Sequence, residues 1–168
     1  MILKANKEII AAGKKDVNLH GMGTTVVCLL ISEEFKVYAS VGDSRIYSYN
    51  RKQLTQLSED QTFAAALYKA GYINKKEAKN HPRRSMLLCA VGSVPNESLD
   101  VQIKEVKGND NYLICSDGLY NMVEDNVIKK ILDEDISLKE KGDKLIDEAN
   151  DNGGFDNISV ILLEGAIW

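Results

Sequence analysis

The chain has 168 residues, of which 44% are hydrophobic, and a formal net charge of -4 at pH 7. This size and apolar content suffice for one buried core, so we predict a single domain. Lysines and arginines are dispersed among carboxylates, which argues against a protein that binds nucleic acid by neutralising phosphates.

The cysteines and apolar runs predict a cytoplasmic protein. Cys28, Cys89 and Cys115 lie in apolar runs without CxxC or histidine-rich spacing, which favours buried, reduced thiols over a disulfide or a zinc site. The longest apolar run, Thr24–Ile31, is too short to cross a bilayer, and the N-terminus lacks the apolar region of a signal peptide. We therefore predict a soluble protein with no membrane partner.

The first half of the chain is predicted to open with a helix and to continue in strands. Leu3–Lys14 has apolar residues at helical spacing. β-branched and aromatic residues predict three strands that form an antiparallel meander: Thr24–Ile31, Lys36–Val41 and Arg45–Tyr49. Two short helices follow as a surface insertion, Gln61–Ala70 and Lys75–Asn80, and Pro82 ends the second.

The second half alternates between strands and helices. Strand character returns in three segments, Ser85–Val91, Leu99–Val106 and Tyr112–Ser116. Helices are predicted at Glu124–Asp133 and Ser137–Asn150, before a final apolar strand at Ile158–Leu163.

Three acidic turns stand at the ends of predicted strands: GDSR at 42–45, LICSDGL at 113–119 and GGFDNIS at 153–159. Mg²⁺ and Mn²⁺ prefer oxygen ligands and retain several waters, so one or two rigidly held carboxylates per ion are enough. Asp117 and Asp156 fit that demand. Two such ions a few ångströms apart can activate a water for attack on a phosphate ester.

Each turn taken alone also has a purely structural interpretation. Asp-Gly is a common turn dipeptide, and Asp156 could bond its own backbone through Asn157. Arg45 could pair with a surface carboxylate for little energy. Only the complete set of motifs, in this order along the chain, favours a functional interpretation over a structural one.

Six motifs in order resemble the metal-dependent serine/threonine protein phosphatases of the 2C type in their bacterial form. They are GMGTT at 21–25, VGDSRIY at 41–47, LTQLSEDQT at 54–62, HPRRSML at 81–87, LICSDGLY at 113–120 and GGFDNISV at 153–160. The resemblance implies an α+β fold, an α-β-β-α sandwich of two antiparallel sheets flanked by helices. It implies hydrolysis of phosphoserine and phosphothreonine in proteins by a water activated between two Mn²⁺ or Mg²⁺ ions.

The resemblance also implies roles for particular residues. Asp117 and Asp156 would bind the catalytic metals, and Asp43 would help to hold a weaker third ion. Residues 61–84 would form a flap beside the active site, so we expect His81 and Arg84, together with Asn157, to contact the substrate or the flap. That substrate would be a phosphorylated protein, the target of a serine/threonine kinase.

The chain also departs from the family pattern. Family members begin with strands that carry an Asp-Gly turn whose Asp bridges the two metals, and none precedes Leu3 here. We therefore expect residues 1–168 to be one 2C-like domain that is incomplete at its N-terminus, with weak or no turnover. Exposed sheet edges would favour a homodimer. Gln61 replaces a histidine that bacterial members often have.

Two alternatives remain open from the sequence. The first is a catalytically inactive 2C-like module that binds a partner or a phosphopeptide. The second is a regulatory phosphatase of the bacterial partner-switching or sporulation type, which shares the chemistry and differs in its substrate protein.

Overall fold

The computed structural model describes residues 1–50, 53–108 and 110–165, and these form two compact units. The first unit contains Met1–Leu29, Tyr38–Asp43 and Glu59–Lys104. The second contains Leu30–Val37, Ser44–Ser58 and the described residues from Glu105 onward. No helix in these ranges is long and apolar enough to cross a membrane.

The described residues form helices and two sheets, and the predicted α+β fold with two antiparallel sheets and flanking helices is confirmed. The order of the sheets is β1-β2-β5 and β4-β3-β6-β7. The elements are α1 (Ile2–Lys15), β1 (Val26–Ile31), β2 (Lys36–Val41), β3 (Arg45–Asn50), β4 (Gln53–Gln56), α2 (Phe63–Lys69), α3 (Lys75–Lys79), β5 (Gln102–Glu105), β6 (Asn111–Cys115), α4 (Asp117–Tyr120), α5 (Asp125–Asp133), α6 (Leu138–Asp151) and β7 (Val160–Leu163).

In the four-stranded sheet every neighbouring pair of strands is antiparallel. The last four residues of β6 are all buried, which explains why this strand is a nearly continuous apolar run. α5 contributes Ile128, Ile131 and Leu132 to the same core at the spacing of one helix face. α6 begins with a capping box between Ser137 and Glu140. This core supports the ends of β6 and β7.

The first unit has its own core of Val41, Cys89, Val91 and Leu99. α1 contributes the fully buried Asn6, whose side-chain amide nitrogen donates to Val94 O at 2.9 Å. The amide oxygen of Asn6 accepts from the backbone N–H of Gly92 at 2.6 Å. The buried amide is therefore compensated by hydrogen bonds that attach α1 to the loop after Val91.

The predicted meander is wrong, because β2 and β3 belong to different sheets. Gly42 separates them at φ +98°, and a Cβ at this glycine would lie 2.4 Å from Thr25 Cγ2. This left-handed corner, closed on one side by Thr25, directs the chain out of the first sheet instead of into a hairpin.

Two further expectations need correction, and one strand lies where none was predicted. Ser85–Val91 forms no strand and makes only isolated bridges, from Leu87 to Thr62 and from Val91 to Thr24. Cys28 is exposed, because β1 buries neither of its faces fully, whereas Cys89 and Cys115 are buried as expected. β4 was not predicted, since Gln53–Gln56 offers one apolar residue in four.

Candidate metal centre

Asp117 lies where β6 ends and α4 begins. Its side chain is partly buried, and its Oδ2 accepts a hydrogen bond from Asn121 Nδ2 at 3.3 Å. The core beneath it is fixed, because Leu113, Cys115 and Leu119 are almost completely buried. The strand and the following turn therefore hold this carboxylate at a defined point of the second unit.

Asp156 lies in the exposed turn between α6 and β7. Its Oδ1 accepts a hydrogen bond from the backbone N–H of Asn157 at 2.7 Å. The turn-forming interpretation of Asp156 and Asn157 is thus confirmed, and it uses one of the two carboxylate oxygens. Gly153 and Gly154, both at positive φ, carry the chain from α6 into this turn.

The two acidic turns are bonded to each other through Ser116. Its hydroxyl donates to Asn157 O at 3.0 Å and accepts from the backbone N–H of Ser159 at 2.9 Å. Its own backbone N–H donates to Ser159 O at 3.1 Å. These bonds continue the β6–β7 pairing, in which Cys115 faces Val160, and they place the turns side by side.

The electrostatics of Asp117 reflect this proximity. Burial and, second, the negative charge of Asp156 raise the pKa of Asp117 above its ordinary 3.8. Backbone N–H groups and Arg45 act in the opposite direction. The two carboxylates repel each other, so a cation between them would relieve an unfavourable interaction. Carboxylate oxygens are also the ligand type that Mg²⁺ and Mn²⁺ prefer.

Arg45 is held near Asp117 by two tyrosines. Its guanidinium carbon lies 3.4 Å from the ring centroid of Tyr120, and its Nη1 donates to Tyr47 Oη at 2.8 Å. From the sequence, Arg45 is expected only to pair with a surface carboxylate. The contact with Tyr120 is a further finding, and its one signal in the sequence is the aromatic residue at the end of LICSDGLY.

The other predicted site residues lie elsewhere in the two units. Asp43 is buried in the first unit, in the turn after β2. His81 follows α3 and packs its ring against Phe63, with 5.6 Å between the ring centroids. Arg84 is exposed, and its neighbour Arg83 lies over the Phe63 ring at 5.7 Å.

Asp117 and Asp156 supply fewer ligands than a complete metal site needs. Within residues 1–50, 53–108 and 110–165, no group of three or more His, Cys, Asp or Glu side chains is arranged to bind a metal ion. An ion at Asp117 and Asp156 would therefore complete its coordination with other oxygen ligands and with water, as Mg²⁺ commonly does.

The fold and the paired acidic turns are consistent with the protein family that the sequence matches. The family described as "Protein phosphatase 2C" matches residues 2–151, and the chain belongs to this family. A serine/threonine phosphatase, stp, of Listeria monocytogenes serotype 4b is 40% identical over 163 residues, which is 97% of this chain. The chain spans 65% of the length of that relative.

Solved structures agree with this assignment. The serine/threonine phosphatase Stp1 of Staphylococcus aureus aligns with a TM-score of 0.89 at 36% identity, over 97% of this chain and 64% of that one. The catalytic domain of the phosphatase PstP, solved in complex with 2 manganese ions, aligns with a TM-score of 0.81 at 31% identity, over 95% of this chain and 66% of that one.

Proposed function

We propose that this chain carries a metal-dependent protein phosphatase activity directed at phosphoserine and phosphothreonine. The observation that supports it best is the pair of carboxylates, Asp117 and Asp156, on adjacent turns that Ser116 bonds together. In the reaction, water attacks phosphorus, the bond from phosphorus to the serine or threonine oxygen breaks, and the products are inorganic phosphate and the free hydroxyl.

The proposed cation is Mn²⁺ or Mg²⁺, bound by Asp117 and Asp156, with Asp43 assisting a further ion. When bound, the metal supplies Lewis-acid chemistry and lowers the pKa of its water. The residues of the chain have other tasks. Ser116 holds the two turns in register, and Arg45 places a positive charge near Asp117.

We expect weak turnover from the 168 residues alone. Asp117 and Asp156 alone would hold an ion loosely, and a loosely held ion would supply little of the activation that water needs near neutral pH. Each loss of about 1.4 kcal/mol in transition-state stabilisation lowers the rate tenfold. We propose at least about a 100-fold lower turnover of p-nitrophenyl phosphate than for a full-length relative such as the Listeria phosphatase.

A binding module is the second candidate function. It is favoured by the small donor set, because in the described part of the chain no third His, Cys, Asp or Glu side chain joins Asp117 and Asp156. Such a module would bind a phosphopeptide or a partner protein without hydrolysing it. The two candidates differ in one observable, the release of phosphate.

The experiment that tests the proposal measures phosphate released from a phosphothreonine peptide in the presence of Mn²⁺. We expect slow release that chelation abolishes and that Asp117→Asn reduces at least about tenfold. The matched control is Asp151→Asn, an exposed carboxylate at the end of α6. Peptide binding without any release supports the binding module and contradicts the phosphatase.

The proposed partner is a phosphorylated protein that a serine/threonine kinase has modified, in a reducing cytoplasm. Residues 61–84, which we name the flap segment, are proposed to contact it. The exposed Arg84 and the partly buried His81 are the candidate contacts there, and Asn157 is a candidate beside Asp156. Arg84→Ala should raise KM for the peptide more than it lowers kcat, whereas a fall in kcat alone would contradict this role.

We further propose self-association along β1. This strand lies at one end of its sheet, its sequence Val26–Ile31 has no charged residue, and Leu30 is 60% exposed. An uncharged edge strand is a template for pairing with another copy. Light scattering should report a dimer that Leu30→Lys converts to a monomer. A parent protein that stays monomeric at micromolar concentration would contradict this arrangement.

A further inference from the structure

Gln61, at the start of the flap segment, hydrogen-bonds both the N–H and the carbonyl oxygen of Gly42. Its side-chain Oε1 accepts from the Gly42 N–H at 2.7 Å. Its main-chain N–H donates to Gly42 O at 3.0 Å. Gly42 cannot relax away from these bonds easily, because it adopts φ +98° and packs against Thr25.

The opposite end of the Gln61 amide is also bonded. Its Nε2 donates to the backbone oxygen of Asp100 at 2.8 Å and to Asp100 Oδ2 at 3.0 Å. Both hydrogens of the amide are therefore used, while its oxygen faces the only donor of the set, the Gly42 N–H. These partners fix the orientation of the amide. The neutral side chain thereby connects the Gly42 N–H to the two oxygen acceptors of Asp100.

The main chain of Gln61 also belongs to the base of the flap segment. Gln61 O accepts from the Leu88 N–H at 2.8 Å, and the Phe63 N–H donates to Met86 O at 2.8 Å. Thr62, between them, is 4% exposed and caps α2 by accepting from the Ala65 N–H. One residue therefore joins the base of the flap segment to the turn that carries Asp43.

We propose that Gln61 is a positioning residue that holds the backbone of Gly42 and Asp43 in place, and that this turn loses its geometry when the amide is removed. The consequence for metal binding rests on the proposed role of Asp43. The consequence for the Gly42 backbone does not rest on that role. The backbone inference and the metal-binding inference can therefore fail separately. Partners that orient a ligand commonly affect metal affinity 10–100-fold when they are removed.

The test compares Gln61→Met with Gln102→Met in the full chain. Gln102 is a matched control, because its amide, like that of Gln61, hydrogen-bonds backbone groups through both its oxygen and its nitrogen. It accepts from the Glu59 N–H at 3.0 Å and donates to Glu59 O at 2.6 Å, and both glutamines are partly buried. Both variants lose side-chain hydrogen bonds to backbone groups. Only Gln61→Met frees the Gly42 N–H.

Hydrogen exchange of the Gly42 amide is the first measurement, made without metal. We expect Gln61→Met to accelerate this exchange at least about tenfold more than Gln102→Met does. Gln61→Glu alone would set a second carboxylate against Asp100 Oδ2, so it is combined with Asp100→Asn, whose amide nitrogen can donate to the new carboxylate. This double variant keeps an oxygen facing the Gly42 N–H and should restore most of the protection, which keeps the test valid if the methionine variant folds poorly. Equal exchange in all three variants would overturn the proposal.

Mn²⁺ titration by calorimetry is the second measurement. We expect Gln61→Met to weaken the binding of one ion about tenfold, and Gln102→Met to leave it unchanged. Accelerated exchange at Gly42 with unchanged Mn²⁺ affinity would overturn the metal role of Asp43 and retain the positioning role of Gln61. Equal Mn²⁺ affinities together with equal exchange would overturn both.

Discussion

Gly118 lies so close to Asn157 that a Cβ on the glycine would be 2.4 Å from the Asn157 carbonyl oxygen. Real Cβ atoms do not approach backbone oxygen this closely, so any side chain at position 118 must displace the turn that carries Asp156. The glycine of the SDG turn is therefore required by the neighbouring turn and not by its own conformation.

The first prediction concerns this contact. Gly118→Ala should lower the free energy of unfolding by about 1–3 kcal/mol, because the methyl group overpacks the junction between the turns. Gly142→Ala is the control. It lies within α6, where the nearest atom to a Cβ is 4.0 Å away, and it should raise stability by about 0.5–1 kcal/mol. Urea unfolding measures both, and equal effects of the same sign would contradict the account.

The second prediction concerns the hydroxyl that joins the turns. Ser116→Ala removes one hydrogen bond to Asn157 O and one from the Ser159 N–H. We expect a loss of about 1–2 kcal/mol in unfolding free energy and a weaker response of the melting temperature to Mn²⁺. Ser137→Ala, which removes the N-cap of α6, should cost a similar energy and leave the Mn²⁺ response intact. Loss of that response in both variants would show that stability alone explains it.

The third prediction follows from the raised pKa of Asp117. A carboxyl whose folded pKa exceeds its unfolded value disfavours folding when it is charged. The contribution of Asp117 to stability is therefore most favourable below its ordinary pKa of 3.8, and it is lost as the pH rises through the raised folded pKa. In metal-free solution near neutral pH, Asp117→Asn should therefore raise the free energy of unfolding. Destabilisation under these conditions would contradict the repulsion between Asp117 and Asp156.

The fourth prediction concerns Glu59, which forms ion pairs with Lys69 at 2.6 Å and Lys104 at 2.9 Å. Lys69 and Lys104 lower the pKa of Glu59 from 4.5 to about 2. Its stabilisation is therefore present above 4.5 and is lost as the pH falls towards 2. The carboxylate is half exposed, so we expect Glu59→Gln to cost only about 0.5–1 kcal/mol.

Unfolding measured at neutral and acidic pH checks this prediction. The difference between the parent and Glu59→Gln should shrink in acid. Glu8→Gln is the control, because Glu8 lies 3.8 Å from Lys4 in an exposed pair on α1 and should change stability by less than about 0.5 kcal/mol. A difference for Glu59→Gln that persists in acid would mean that charge is not its cause.

Local pattern was enough to predict most elements of the fold. α1 and the two long helices α5 and α6 were predicted to within two residues at each end, because each has an apolar face at helical spacing. The predicted range of β2, Lys36–Val41, is confirmed without change. The pattern could not assign strands to sheets, since pairing depends on the corner at Gly42 and not on the composition of the strands.

The candidate site was predictable only in part. Asp117 and Asp156 stand out in the sequence, because each follows or precedes an apolar run. Contacts between residues far apart in the chain leave no local signal that identifies the partner residue. Examples are Tyr120 against the Arg45 guanidinium and Gln61 against Gly42. Such contacts are set by tertiary packing, which single-sequence periodicity does not contain.

The most direct test of the central claim, that Asp117 and Asp156 share one cation, is a Mn²⁺ titration of four proteins by calorimetry. These are the parent, Asp117→Asn, Asp156→Asn and the double variant. We expect each single variant to lose at least about tenfold in affinity, and the double variant to lose little more than either one. Additive losses in the double variant, or unchanged affinity in either single variant, would contradict a shared ion.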